Sequence, residues 1–149
     1  MRIALDTNIV IYAEHLNDAE RAGHAARLLD GLRNRDVMLP SQALGEFYFA
    51  LSRKFRFGAE ECRKRVEAWR LRYPVIMPDE PTFFAALDLA TAHHLQFWDA
   101  LILATAAEAR CRLLLSEDLA DGFVHRGCTV ADPFGEKLHP LLADALDQR

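Results

Sequence analysis

The sequence predicts an α/β fold, a single three-layer α/β/α domain on a short central parallel sheet spanning residues 1–149. Three observations point there. Short apolar runs recur without polar alternation, as strands buried on both faces require. Helical stretches separate them, long enough for the crossovers a parallel sheet needs. And 149 residues, at roughly 150 per domain, contain no linker, repeat or composition shift that would divide them.

Ile3, Ala4 and Leu5 make the first strand, ended by Asp6, Thr7 and Asn8, and a helical pattern follows through Tyr12. A second helix covers residues 19–33, with Ala22, Ala25, Ala26, Leu28, Leu29 and Leu32 on its apolar side. Val37, Met38 and Leu39 form the second strand. Pro40 and Ser41 then open a helix to about residue 55, and Gly58 separates it from another over 59–72. Val75, Ile76 and Met77 read as a third strand between two prolines, followed by a helix over 82–93. Residues 97–109 are apolar nearly all round, which predicts a buried helix. Leu113, Leu114 and Leu115 make a fourth strand, Cys128, Thr129 and Val130 a fifth, and a weaker helix covers 138–146.

Composition excludes several classes. With 51% hydrophobic and 27% charged residues the chain is neither disordered nor of low complexity. The first residues reach Asp6 too soon for a secretory apolar region, and the run around 100–107 falls well short of the roughly 20 residues a membrane span needs. Cys62, Cys111 and Cys128 are odd in number and widely spaced, which fits reduced thiols in a cytoplasm rather than disulfides or zinc. No phosphate-binding glycine loop and no nucleophile elbow occurs.

The chemistry lies in four carboxylates. In open parallel sheets ligands bind beyond the carboxyl ends of the strands. Asp6 ends the first strand, and Asp118 follows the fourth after Ser116 and Glu117. Glu46 and Asp99 interrupt strongly apolar helices, Glu46 among Ala43, Leu44, Phe47 and Tyr48, Asp99 between Trp98 and Ala100. Each has a plainer reading: Asp6 as a helix cap, Glu46 as a solvated residue, Asp99 as a partner of the helix dipole, Asp118 as a turn residue. Together they favour a divalent-metal cluster, because a carboxylate in an apolar setting needs a positive partner and Asp99 has no Lys or Arg within one helical turn. Oxygen-only ligands select Mg²⁺ or Mn²⁺ over zinc. Carboxylates around one or two such ions are suited to phosphodiester hydrolysis by metal-activated water.

The order Asp6-Thr7-Asn8, Glu46, Trp98-Asp99-Ala100 and Ser116-Glu117-Asp118-Leu119 resembles the PIN-domain ribonucleases, especially the VapC-type toxins of toxin–antitoxin pairs. The resemblance runs from the first strand to Val130. It implies a PIN-like fold and a metal-dependent endoribonuclease acting on single-stranded or structured RNA, inhibited by a cognate antitoxin protein and forming a homodimer. Asp6, Glu46, Asp99 and Asp118 match the family's acidic residues, and Ser116 a hydroxyl that supports the last of them. Asn8 caps the first helix or orients Asp6. Some relatives carry a further acidic residue where Ala120 stands here, which leaves the role of Asp121 open.

Charge is uneven despite a net −4. Residues 53–72 hold eight basic residues, among them Arg53, Lys54, Arg56 and Arg63, against three glutamates; that is +5, leaving −9 for the remainder. Such a segment steers a phosphate backbone, unless it is an ordinary solvated face. The aromatics Phe47, Tyr48, Phe49, Phe55, Phe57, Trp69 and Tyr73 crowd the same region. They suit core packing, a subunit interface or base stacking; Phe47, Tyr48 and Phe49 are consecutive and cannot all face one core. Two rival functions are a phosphatase with Asp6 as nucleophile, disfavoured because Asn8 occupies the place of its second carboxylate, and a non-catalytic module that binds RNA or an antitoxin without cleavage.

Overall fold

The chain runs β1 (Arg2–Leu5), α1 (Thr7–Ala13), α2 (Ala19–Gly31), β2 (Asp36–Pro40), α3 (Ser41–Arg53), α4 (Ala59–Arg72), β3 (Val75–Ile76), α5 (Glu80–His93), α6 (Phe97–Glu108), β4 (Leu113–Leu115), β5 (Val124–His125), β6 (Cys128–Ala131) and α7 (Pro140–Asp147). The computed structural model describes residues 1–147. The strands form one sheet in the order β3-β2-β1-β4-β6-β5. All neighbours are parallel except β5 and β6.

The sheet is parallel as expected, with one antiparallel pair at its edge. Val124 pairs with Thr129 and His125 with Cys128, so Arg126 and Gly127 form a two-residue hairpin loop. Both have positive φ, 46° and 83°, as the tight turns favoured between twisted strands demand. A two-residue strand is too short to show a period, which is why the sequence did not reveal β5.

The unalternating strands pack on both sides. Ile3 and Leu5 of β1 join Val37, Leu39, Leu113 and Leu115 in a core shared with α1 to α4 and α7. Ala4, Leu114, Cys128 and Val130 point the other way, against α5 and α6. Every residue of α6 from Ala100 to Ala107 is buried, as its all-round apolarity requires. Of the three consecutive aromatics on α3, Phe47 is fully buried while Tyr48 and Phe49 are 39% and 62% exposed.

The topology decides where a site can form. β1 and β4 are adjacent, but the chain leaves β1 toward β2 on one side and leaves β4 toward β6 on the other, which opens a crevice at their carboxyl ends. The segments after both strands meet there: the Asp6 N–H donates to the Leu115 carbonyl at 3.0 Å.

Candidate active site

Asp6 is the residue at which β1 becomes α1. Its extended backbone makes it the helix N-cap, and its Oδ1 accepts from the Thr7 N–H at 2.7 Å. The other oxygen, Oδ2, accepts from Ser116 Oγ at 2.6 Å. The capping and clustering readings are therefore both true of one side chain, which is only 2% exposed.

Ser116 follows β4 directly and is fully buried. Besides donating to Asp6, its hydroxyl accepts from the N–H groups of Asp118 and Leu119, at 3.2 and 3.4 Å. One hydroxyl thus ties the turn carrying Asp118 to the end of β1. Asn8 does not cap α1, contrary to the sequence expectation, because Asp6 already does; its Nδ2 instead donates to Asp118 Oδ2 at 2.7 Å.

Asp99 stands in the first turn of α6, whose cap is Gln96: the Gln96 side chain accepts from the Asp99 N–H at 3.2 Å. Carboxylate oxygens of Asp6, Asp99 and Asp118 all lie within 4.8 Å of one another. Glu46 stands beside this trio rather than in it. Its Oε2 accepts from Thr7 Oγ1 and its Oε1 from Gln42 Nε2, each at 3.0 Å.

Such crowding is electrostatically unfavourable, and the acidities record it. Burial, with the charges of Asp118 and Glu46 adding to it, pushes the Asp6 carboxyl up to about 6 despite the stabilising bonds from Ser116 and Thr7. Asp99 rises to about 7, chiefly through burial and then through Asp6, Asp118 and Glu46. Asp118 is raised by burial, Glu117 and Glu46. None of the ion pairs among the described residues includes any of the four. Three oxygen donors, mutually repelling and without a protein cation, fit a hard divalent ion in number and chemistry.

Sequence reasoning missed several neighbours. Thr7 lay in the Asp-Thr-Asn triplet without a role, and Gln42 precedes Glu46 by one helical turn, a readable spacing. Glu117 is turned away from the trio: it accepts from the Tyr12 hydroxyl and pairs with Arg21 at 3.5 Å. Arg21 in turn lies over the rings of Tyr12 and Phe134, 5.6 and 5.2 Å from their centres. Asp121 accepts from the Asp132 N–H at 2.8 Å and so braces a loop. Arg53, Lys54, Arg56 and Arg63 are exposed, whereas Arg65 is committed to Glu14 and Glu61.

The model of the PIN domain family matches residues 3–123, most of the chain and every carboxylate just described. This chain belongs to the PIN domain family. No curated protein sequence matches it. Solved structures share the PIN fold at low identity. VapC20 from Mycobacterium tuberculosis, described as a Sarcin-Ricin loop cleaving toxin, is 22% identical over 75% of this chain and 86% of its own, with a TM-score of 0.62. VapBC2 from Rickettsia felis, bound to a promoter DNA fragment, is 20% identical over 78% and 87%, TM-score 0.61. A toxin–antitoxin complex from Klebsiella pneumoniae is 19% identical over 89% and 98%, TM-score 0.63. In this PIN domain no helix of the described residues is long and apolar enough to cross a membrane.

Proposed function

We propose that this PIN domain is a Mg²⁺- or Mn²⁺-dependent endoribonuclease of the VapC type, the toxin of a toxin–antitoxin pair. The observation that carries this is the meeting of Asp6, Asp99 and Asp118 oxygens within 4.8 Å at the strand ends, with no cation of the protein among them. Asp6, Asp99 and Asp118 would hold the ion, and Glu46, fixed by Thr7 and Gln42, would stand beside it. A divalent cation bound there supplies the charge that activates water and stabilises the phosphate oxygens during in-line hydrolysis. Ser116 fixes Asp6 from one side and the Asp118 turn from the other. Asn8 orients the Asp118 carboxylate. The basic residues Arg53, Lys54, Arg56 and Arg63 draw the RNA backbone toward the carboxylates.

The toxin assignment draws on the toxin and toxin–antitoxin structures that share this fold. An antitoxin protein and a second copy of the chain are the proposed partners. The groove of about 850 Å³ along α4, with Tyr48 and Leu71 exposed at its walls, offers a protein partner an apolar surface.

The deciding experiment incubates labelled single-stranded RNA with the purified chain and Mg²⁺ or Mn²⁺. Cleavage is expected, and EDTA or Asp99→Asn should abolish it. RNA binding without any cleavage, even in Mn²⁺, would instead make this a non-catalytic binding module.

A further inference from the structure

Next to the carboxylates, Gln42, Gly45, Glu46 and Phe49 of α3 face Gln96 and Trp98 across a cleft of about 440 Å³. The α3 residues follow the spacing of one helical face. The volume falls within the roughly 300–1,000 Å³ of small-molecule sites. We infer that this cleft is a nucleobase-binding subsite, which takes the base of a nucleotide flanking the phosphate at the carboxylates and stacks it on Trp98 and Phe49. The inference rests on the nuclease reading above and adds to it where the substrate is gripped.

Continuity with the acidic site is direct. Glu46 belongs to both, and Trp98 precedes Asp99 in the first turn of α6. Trp98 and Phe49 are 46% and 62% exposed, large aromatic surfaces left in water in the same cleft. Gln42 spends its amide nitrogen on Glu46 and Gln96 its amide oxygen on the Asp99 N–H. The Gln42 oxygen and the Gln96 nitrogen have no such partner among the described residues, an acceptor and a donor for a base edge. Arg53 lies 5.8 Å from the centre of the Phe49 ring, where a guanidinium can meet the neighbouring phosphate.

Gly45 supplies an independent argument. Glycine is among the poorest residues for a helix interior, yet it stands in the middle of α3. Its φ is not positive, and a Cβ placed there meets nothing within 4 Å, so neither backbone nor packing accounts for it. Its missing side chain leaves that part of the cleft wall open.

A second copy of the chain is the competing occupant, since Phe97 links Trp98 to the exposed Phe83 and Phe84. Three of the six residues that line the cleft are polar, two amides and a carboxylate, whereas interface centres are depleted in charge. A base edge uses the Gln42 oxygen and the Gln96 nitrogen; an apolar subunit core leaves those two atoms without a partner.

The test uses short single-stranded oligoribonucleotides in Mn²⁺, each with one abasic position, cut by the wild type, Gly45→Leu and Trp98→Ala. For the wild type, one abasic position beside the cut should lower kcat/KM by about 5- to 150-fold, the worth of one stacked base. In both variants the intact oligonucleotide should be cut slower by a similar factor, with no further loss on removing that base. Gly45→Leu should melt no lower than the wild type. If that variant misfolds, Trp98→Ala decides alone. A wild type that cuts evenly whatever base is missing, or a Trp98→Ala enzyme that keeps the positional loss, overturns the subsite alone. Trp98→Ala turning a dimer into a monomer by light scattering while keeping that loss gives the face to a second copy. A wild type that neither cuts nor binds the oligonucleotides removes the nuclease reading and the subsite together.

Discussion

Asn8 Nδ2 donates to Asp118 Oδ2 at 2.7 Å, joining two residues 110 positions apart. The bond leaves the other Asp118 oxygen for a cation and limits how far the carboxylate can turn. Asn8→Ala should therefore weaken Mg²⁺ or Mn²⁺ binding by about 10–100-fold, the usual worth of a group that orients a ligand. Isothermal titration with Mn²⁺ checks this. Asn8→Asp should weaken binding of the first ion less, since it adds charge, but should lower the melting temperature of the metal-free protein.

Asp99→Asn should raise the melting temperature of the metal-free protein at pH 8 and leave it nearly unchanged at pH 4. The sign follows from acidity. Asp99 holds its proton to about pH 7 and Asp6 to about pH 6 in the fold, against near 4 in the unfolded chain. Between about pH 4 and 7 the folded state thus binds more protons than the unfolded one, so stability falls as pH rises and the penalty is complete above 7. For the part-exposed Asp99 solvent screening limits the gain to about 1–2 kcal/mol, roughly 2–8 °C for a chain of this size. Thermal melts in EDTA across that range measure it.

Addition of Mg²⁺ should reverse that order. An ion that binds only the folded state at 100 times its Kd stabilises by about 2.7 kcal/mol. The wild type should gain this and Asp99→Asn should not. An equal gain in both would show that the ion sits elsewhere.

Ser116→Ala removes the donor that holds buried Asp6. The expected cost is about 1–3 kcal/mol in denaturant unfolding. It should be largest above pH 6, where Asp6 is ionised and the lost bond matters most, and smaller near pH 4, where the carboxyl is protonated in both variants.

Arg53→Ala and Arg63→Ala should each weaken RNA binding and reduce the slope of log K against log salt by about 0.7, the value for one phosphate contact with a single strand. Fluorescence anisotropy at several salt concentrations reads both. Unchanged slopes would leave the basic residues of 53–72 as an ordinary solvated face.

Much of this was legible along the chain. The strands β1, β2 and β4 and the helix α6 announce themselves because burial on both sides permits no polar residue, and a carboxylate in such a run stands out. Glu46 and Asp99 are visible for that reason, Asp6 and Asp118 because they follow the carboxyl ends of buried strands. The hairpin of β5 and β6 was not, since two residues carry no period and the turn depends on positive φ at Arg126 and Gly127.

Which residues are acidic in apolar surroundings can be read from the chain alone, and with them the expectation of a positive partner. Their grouping is a property of the fold: Asp6, Asp99 and Asp118 as a trio, Glu46 at their side on Thr7 and Gln42, Glu117 drawn off to Tyr12 and Arg21. Adjacent residues such as Glu117 and Asp118 are equal in charge and nearly equal in chemistry. Which of them faces the crevice is set by hydrogen bonds from Asn8 and Tyr12 of α1, more than a hundred residues away, and no local pattern encodes those.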